Sequence, residues 1–330
     1  MTIRRVGLAA TITIGILAAS LTAGQAQEPR KIPRLGFLSI FSPSDIPLWR
    51  EAFRQGLQDL GYTEGHNIVI EYRYAKGRPE LLPGLATELV GLKMDIIAAE
   101  TTPASLAAKQ ATTKIPIVMT IVADPMKSGL VFSLARPGGN ITGLSLQLPD
   151  VTAKRVQLLR EVVPQVSRVT ILWNSSGVIN TPQFEAAEAA ARVLGIQLDF
   201  LGVQAADDFP RAFQAAARRG TGALLVLDDF LFTRHMRQIA ALTAKTRLPA
   251  MYGTTGFAEA GGLVSYGPNY AEISRRAATY VDKILKGAQP GELPIEQPTT
   301  LELVINVKTA KAFGLTIPPS LLLRADRIIQ

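Results

Sequence analysis

The chain has 330 residues, no cysteine, and 35 Lys and Arg against 27 Asp and Glu, for a formal net charge of +8. The lack of cysteine excludes disulfides and a lipid-modified cysteine after a leader. The basic residues are scattered rather than gathered in runs with interleaved aromatics, so the charge predicts a solvated basic surface and no nucleic-acid partner.

Residues 1–26 are predicted to be a cleaved secretory signal peptide. Arg4 and Arg5 form a cationic start, residues 6–21 are apolar, and small residues up to Ala26 favour cleavage there. The flanks of the arginine pair fit a twin-arginine signal poorly, so general secretion is the favoured route. No later run of 18 apolar residues occurs. We therefore expect an exported, periplasmic protein that is neither membrane-spanning nor a lipoprotein, with about 300 mature residues, enough for two domains.

From residue 34 onward, short apolar runs alternate with helical patterns. Strands and helices that alternate at this spacing predict right-handed βαβ units and a parallel sheet. In this first series the predicted strands are 34–40, 67–74, 94–99, 116–121 and 141–146, and the predicted helices are 49–60, 79–90 and 103–112.

A second series of the same kind follows the glycine-rich turn at 138–140. Its predicted strands are 168–173, 197–203, 223–227 and 248–252, and its predicted helices are 182–194, 208–219 and 231–245. A helix at 270–286 and a segment at 300–314 come later, so the chain must cross between the lobes again. The sequence predicts an α/β protein with two Rossmann-like lobes joined by a hinge. Lobe 1 is expected to be 32–145 plus about 266–292, and lobe 2 to be 146–265 plus about 293–330.

A ligand cleft is expected between the lobes, because open α/β sheets bind ligands at the carboxyl ends of their strands. The loops at these strand ends are rich in hydroxyls and dotted with aromatics. The candidate ligand-binding residues are Phe41, Ser42, Thr101, Thr102, Asp124, Trp173, Asn174, Asp228, Tyr252, Thr254 and Thr255. The aromatic candidates to sandwich a ring are Phe41, Trp173, Phe230, Tyr252 and Phe257.

The segment 99–105 (AETTPAS) carries two compatible interpretations. Thr102 precedes Pro103, which is typical of a helix start, so its hydroxyl is expected to cap the helix. Thr101 and the free N–H groups of the first turn can meet a ligand carboxylate, since helix N-termini attract anions. Glu100 either pairs with a ligand ammonium or faces water.

Few residues point to catalysis. His66 and His235 have no ligand partners at metal spacing, and neither a G-x-S-x-G elbow nor a phosphate-binding loop occurs. Asp228 and Asp229 form the one carboxylate pair of interest, but neighbours on a strand point to opposite faces, which disfavours a dyad. One acid can pair with a ligand ammonium while the other caps the next helix. No metal or cofactor is predicted.

Ordered sequence fragments carry a resemblance to a known family. They are GLQDLGYTEGHNI at 56–68, TPA at 102–104, IPIV at 115–118, DP at 124–125, SGLV at 128–131, RPGGNITG at 136–143, GAQP at 287–290, LP at 293–294, INVKTAKAFGL at 305–315 and IP at 317–318. On these fragments the chain resembles the tryptophan/tyrosine-type substrate-binding proteins of ABC transporters, whose fold is similar to that of type I periplasmic binding proteins.

The resemblance implies a monomeric receptor that closes two lobes on a small molecule and presents the closed form to an ABC permease and its ATPase. It also implies that the ligand carboxylate lies at Thr101 and Thr102. The expected ligand is a small polar molecule, an amino acid, aromatic or not, or a related carboxylate. Two alternatives stay open at this point: a sensor subunit of the same fold, and an exported hydrolase that uses Asp228 or Asp229.

Overall fold

The computed structural model describes residues 31–176 and 181–330. The predicted signal peptide at 1–26 lies outside the described residues. None of the helices in the described part of the chain is both long and apolar enough to cross a bilayer.

The first lobe is built on a five-stranded parallel sheet in the order β2-β1-β3-β4-β5. Its strands are β1 (Arg34–Ser39), β2 (Val69–Tyr74), β3 (Ile96–Glu100), β4 (Ile117–Val122) and β5 (Ile141–Ser145). Its helices are α1 (Pro47–Asp59), α2 (Leu82–Gly91) and α3 (Thr102–Ala111), with a 3-10 turn at Pro79–Leu81. Every residue of β3, β4 and β5 is buried, because helices cover both faces of the sheet.

The second lobe is built on a seven-stranded sheet in the order β12-β11-β10-β9-β8-β6-β7. Its strands are β6 (Arg168–Asn174), β7 (Gln197–Val203), β8 (Ala223–Val226), β9 (Ala250–Tyr252), β10 (Val264–Pro268), β11 (Leu301–Asn306) and β12 (Arg327–Ile329). The helices after β5 are α4 (Leu148–Val162), α5 (Thr181–Leu194), α6 (Phe209–Arg218), α7 (Phe230–Arg234), α8 (Met236–Thr246), α9 (Thr255–Glu259), α10 (Tyr270–Leu285), α11 (Val307–Phe313) and α12 (Pro319–Leu322). Further 3-10 turns lie at Ala206–Asp208 and Pro290–Glu292.

The chain passes between the lobes after β5, after β10 and before β11. Helix α10 therefore packs on the first lobe, where its residues Ala277, Ala278 and Val281 join the core formed with β1. Gly56 lets α1 approach α10 closely, since a Cβ atom there would lie 2.5 Å from the carbonyl oxygen of Arg275. The crossing after β10 therefore brings the start of α10 to the space between the lobes.

Three features differ from the sequence prediction. Strand β11 runs antiparallel to β10, because the chain leaves the second lobe at the end of β10 and re-enters at the same edge. The predicted helix 231–245 is two helices, since the backbone at His235 (φ −116°, ψ 25°) leaves the helical region. Helices α4, α9 and α12 and strands β10 and β12 were not predicted, and α4 carries the buried Arg155 discussed below.

Candidate functional site

A cavity of about 230 Å³ lies between the two lobes at the carboxyl ends of their strands. The first lobe contributes Phe41, Trp49, Pro79, Thr101, Thr102, Pro103, Leu106, Ile121 and Ala123. The interlobe crossings contribute Leu146, Leu148 and Tyr270, and the second lobe contributes Ser176, Asp228, Asp229, Phe230 and Thr233. A mostly apolar wall with a few convergent polar groups is typical of a site for a small organic ligand.

The aromatic part of the wall is a chain of edge-to-face contacts. The ring centroids of Phe41 and Trp49 lie 5.5 Å apart at 85°, and those of Trp49 and Tyr270 lie 4.9 Å apart at 64°. Phe230 faces the same cavity from the start of α7. Each edge-to-face contact fixes the neighbouring ring, so the wall offers pre-organised aromatic surface to a ligand.

Thr101 has a backbone conformation that favours glycine. Its φ of 82° and ψ of 161° lie in a region that costs a β-branched residue of order 1–3 kcal/mol. Its hydroxyl is buried and makes no hydrogen bond in the described part of the chain. A strained residue whose buried hydroxyl lacks a partner and which lines a cavity is typical of a binding residue.

Thr102 does not cap α3, which corrects the sequence prediction. It is the first residue of the helix, and its hydroxyl accepts a hydrogen bond of 3.2 Å from the backbone N–H of Ala123. The N-cap position belongs to Thr101, whose side chain makes no capping bond. The first N–H groups of α3 are therefore left without a side-chain cap beside the cavity.

Glu100 is buried and does not line the cavity. Its carboxyl accepts a hydrogen bond from the Ser39 hydroxyl, and burial raises its pKa to about 7. The sequence left open whether Glu100 pairs with a ligand or faces water, and the structure shows neither. Glu100 instead ties the ends of β1 and β3 together behind Thr101.

Asp228 is occupied by protein partners. One carboxylate oxygen accepts from the Arg155 guanidinium and the other accepts from the Tyr270 hydroxyl at 3.0 Å. Arg155 is fully buried on α4 and also donates to the carbonyl oxygens of Tyr266 and Gly253. Its charge therefore neutralises Asp228, which becomes a structural anion under the cavity.

Asp229 has an oxygen to spare. Its Oδ1 accepts from the Leu231 N–H at 2.8 Å, which caps α7, and from the Asn174 side-chain amide at 2.9 Å. Its Oδ2 makes no hydrogen bond to the described residues, and the residue lines the cavity. Burial, reinforced by the neighbouring Asp228, raises the pKa of Asp229 to about 6, while its two hydrogen bonds oppose that shift.

The two lobes contact each other at the mouth of the cavity. Arg234 of α7 lies with its Nε 3.0 Å from the Asp45 carboxylate of the first lobe. The guanidinium rests on Gly77, where a Cβ atom would lie 1.6 Å from Nη1 and where φ is +79°. On another side of the cleft, the Lys127 ammonium lies 3.8 Å from the Glu185 carboxylate. The molecule is thus in a closed arrangement.

Four of the residues predicted to bind ligand line this cavity: Phe41, Thr101, Thr102 and Asp228. Three others lie near it without lining it. The Ser42 N–H donates to Asp45, Asn174 holds Asp229 and the Ser176 backbone, and Asp124 accepts from the N–H groups of the two residues in its own turn. Each of these polar groups is used to fix a loop.

The remaining predicted residues pack inside the second lobe. Trp173 contacts Phe184 edge to face at 4.9 Å, and Tyr252 stacks on Phe257 at 4.4 Å with its hydroxyl beside Thr243. Thr254 is buried with its hydroxyl toward the sulfur of Met236, and it precedes α9, which begins at Thr255. No residue at the end of β9 lines the cavity, since Gly253 lies directly against the carboxylate of Asp228.

Several lining residues were not among the predicted ligand-binding residues. Trp49 and Tyr270 lie at the starts of helices α1 and α10, for which no ligand contact was predicted. Ser176 and Asp229 lie within two residues of the predicted Asn174 and Asp228, and Thr233 lies on α7. Phe230 was predicted only as an aromatic contact, and it does line the cavity. The sequence predicted Asp228 rather than Asp229 as the ligand-binding acid. The contact between Asp228 and Arg155 could not be foreseen, because Arg155 lies on the unpredicted helix α4.

The arrangement is suited to binding. The described residues contain no cluster of His, Cys, Asp or Glu that could hold a metal ion. The open Asp229 oxygen, the Thr101 hydroxyl and the aromatic wall converge on one enclosed space from both lobes. The fold and this cleft define a two-lobed binding protein with a cavity of the size of a small molecule.

Comparisons with known proteins agree with this description. The family model described as ABC transporter substrate binding protein matches residues 39–329. A tyrosine-binding protein of Clostridioides difficile is 26% identical over 317 residues, covering 92% of this chain and 91% of that protein. The chain belongs to the ABC transporter substrate-binding protein family.

Solved structures show the same fold. A domain of an ABC protein from Streptococcus pneumoniae in complex with L-Trp has a TM-score of 0.84 at 25% identity, covering 90% of this chain and 99% of that one. A conserved domain protein from Vibrio cholerae has a TM-score of 0.85 at 30% identity, covering 90% and 100% of the two chains. The two parallel-sheet lobes predicted from the sequence are thus confirmed.

Proposed function

We propose that the protein is a periplasmic receptor that closes on an aromatic amino acid and delivers it to an ABC permease. One observation carries the proposal. An Asp229 carboxylate oxygen and the Thr101 hydroxyl, neither hydrogen-bonded to the described residues, line opposite sides of a cavity with aromatic walls. An amino acid has the complementary groups, since it carries an ammonium, a carboxylate and a side chain.

The ammonium pairs with Asp229 and the carboxylate lies at Thr101 and the start of α3. Helix N-termini favour anions by about 0.3–1 kcal/mol, and by more when partly buried. The side chain packs against Phe41, Trp49 and Phe230, which favours a ring over a short aliphatic group. The relatives support this ligand class, because one is described as tyrosine-binding and a second was solved with L-Trp.

Closure follows from contacts made on both lobes. A ligand favours the closed state only by its differential affinity for the two states, and groups on both sides of the cleft supply that difference. The sequence predicted lobe 1 as 32–145 with about 266–292 and lobe 2 as 146–265 with about 293–330. Because β10 extends the second-lobe sheet to Pro268 and Ile295 packs in the first lobe, lobe 1 in this proposal is 32–145 with about 269–299, and lobe 2 is 146–268 with about 300–330. The protein acts as a monomer after removal of residues 1–26, and the permease and ATPase recognise its closed form.

Calorimetric titration of the mature protein with tyrosine, tryptophan, phenylalanine, leucine and lysine tests the ligand class. We expect micromolar or tighter binding of at least one aromatic amino acid and much weaker binding of leucine and lysine. At 100 times the Kd, the ligand should add about 2.7 kcal/mol of apparent stability. Recovery of the ligand unchanged distinguishes a receptor from a hydrolase.

Asp229→Asn tests the ammonium contact, with Asp199→Asn as the matched control. Asn can still cap α7 and accept from Asn174, so the fold is kept while the charge is lost. A buried charge left without its partner costs about 2–5 kcal/mol, so we expect affinity to fall at least 30-fold. Asp199→Asn should bind normally, since Asp199 of β7 pairs with Arg168 and lines neither the cavity nor any space next to it. Equal affinities of the two variants would refute the assignment of Asp229.

A further inference from the structure

A second chamber adjoins the ligand cavity. It has a volume of about 150 Å³ and shares three lining residues with the ligand cavity, Leu106, Ala123 and Leu148. These three apolar side chains border both spaces, and we call them the throat. The other lining residues of the chamber are Asp124, Lys127, Ser128, Pro149, Pro182 and Gln183.

Gln183 is the buried polar group of the chamber. It lies on α5 and is 2% exposed, so its amide is desolvated. Its Oε1 lies 3.3 Å from the Thr152 hydroxyl, which also donates to the Leu148 carbonyl at 2.7 Å. The amide nitrogen makes no hydrogen bond to the described residues. A buried amide with unused hydrogen-bonding capacity is costly unless a ligand or water satisfies it.

The other polar groups of the chamber are already used. The Asp124 carboxylate accepts from backbone N–H groups, and the Ser128 hydroxyl donates to the Asp124 carbonyl. Lys127 is 60% exposed and lies toward Glu185 at the outer rim. Gln183 therefore has the greatest capacity to recognise a ligand group inside the chamber.

Helix α3 gives the direction of the ligand. Thr102 lines the ligand cavity and Leu106 lines both spaces, one turn further along the same face. At 1.5 Å per residue, Leu106 lies about 6 Å along the axis from Thr102, about the distance from the α-carbon to the far end of a phenyl ring. With the charged head at Asp229 and the start of α3, the pose proposed here places the ring beside the aromatic wall with its far end toward the throat.

We propose that Gln183 binds a polar group at the far end of the ligand ring, so that the receptor selects hydroxylated aromatic amino acids over phenylalanine. This inference rests on the proposed function and adds the discriminating contact. A phenol hydroxyl that passes the throat either accepts from the Gln183 amide nitrogen or donates to its oxygen. Phenylalanine leaves the same buried amide unsatisfied, and a site that loses such a partner discriminates against the analogue.

The test compares the Kd values of tyrosine and phenylalanine, which differ by one hydroxyl. For the wild type we expect tyrosine to bind about five- to tenfold more tightly, the contribution of one hydrogen bond in a desolvated site. In Gln183→Met the ratio should fall to about one through weaker tyrosine binding, with phenylalanine affinity within about twofold of the wild type. In Thr152→Val, which removes the hydroxyl behind the amide but leaves the chamber lined as before, the preference for tyrosine should remain.

Gln183→Asn provides a second variant if the methionine variant does not fold. It keeps an amide but withdraws it by one methylene, so the preference for tyrosine should again be lost. Equal binding of the two amino acids by the wild type, or an unchanged ratio in a folded Gln183 variant, would overturn the proposal while the receptor function stands. Binding of tryptophan alone would overturn the proposal for Gln183, and binding of none of the three aromatic amino acids would overturn the proposed function itself.

Discussion

The two walls of the cleft differ in how their polar groups are satisfied. The first-lobe wall is neutral at the surface. Thr101 has a strained backbone and a hydroxyl that makes no hydrogen bond to the described residues, and the buried Glu100 lies behind it. The second-lobe wall is anionic and carries two carboxylates, of which Asp228 is held by Arg155 and Tyr270 while Asp229 keeps one oxygen open.

In the proposed binding mode, this difference separates the two charges of an amino acid. The ammonium would contact the carboxylate on the second lobe, and the ligand carboxylate would contact hydroxyl and N–H groups on the first. Neither wall alone binds both ends, so a ligand gains its full set of contacts only when the lobes are closed. The pairing of Asp228 with Arg155 also limits the second lobe to one available negative charge.

The largest effect is expected when that pairing is broken. Arg155→Met leaves Asp228 buried without its cation, which should destabilise the protein by about 3–5 kcal/mol in urea unfolding at pH 7. Adding Asp228→Asn to the same chain should recover part of the loss, since no unpaired charge remains. Arg168→Met, which removes a half-exposed pair with Asp199, should cost no more than about 1 kcal/mol. An equally small loss of stability in Arg155→Met would contradict the role of Arg155 as the buried partner of Asp228.

An intermediate effect is expected at the first-lobe wall. Thr101→Gly relieves a glycine-type backbone conformation and removes the hydroxyl, so the ligand-free protein should be as stable as the wild type or more stable by up to about 2 kcal/mol. Affinity should nevertheless fall by about 1.5–3 kcal/mol, the range for a hydrogen bond to a charged group. Thr101→Ser should keep its affinity. Calorimetric titration and urea unfolding check both; unchanged affinity in the glycine variant would exclude a ligand contact.

The smallest effect is expected for the ion pair between Arg234 and Asp45, which joins the two lobes at the mouth of the cavity. Arg234→Gln and Asp45→Asn each remove the ion pair across the lobes, which is partly exposed and contributes about 0.2–1 kcal/mol. Each variant should release ligand about two- to fivefold faster in stopped-flow measurements, and the double variant no faster than either single one. Additive effects in the double variant would show that the two residues act separately.

The sequence predicted the fold well because parallel α/β lobes have a strong periodic signal. Buried apolar strands, helical faces and strand-end polar loops led to two lobes, a cleft, and four of its lining residues, Phe41, Thr101, Thr102 and Asp228. These four predictions were right because the carboxyl ends of β1, β3 and β8 lie next to the cleft in a fold of this kind.

The rest depended on tertiary contacts that a linear pattern does not contain. Asp124 looked like a ligand residue, but its carboxylate is satisfied by the N–H groups of its own turn. Tyr270 reaches the cavity because the chain returns to the first lobe after β10. The choice between Asp228 and Asp229 is made by Arg155, which is far away in sequence and lies on a helix that the pattern did not reveal.

The pH dependence of ligand binding tests the central claim that Asp229 holds the ligand ammonium. The pKa of Asp229 is about 6 in the ligand-free protein, and the ammonium binds the charged carboxylate, so affinity is present above pH 6 and lost below it. The Kd for the best aromatic amino acid should rise about tenfold from pH 7.5 to pH 5. Asp229→Asn should lack this pH dependence. Both proteins carry Glu100→Gln in this comparison, so that the titration of Glu100 does not contribute. A wild-type affinity that is equal or higher at pH 5 would contradict the account.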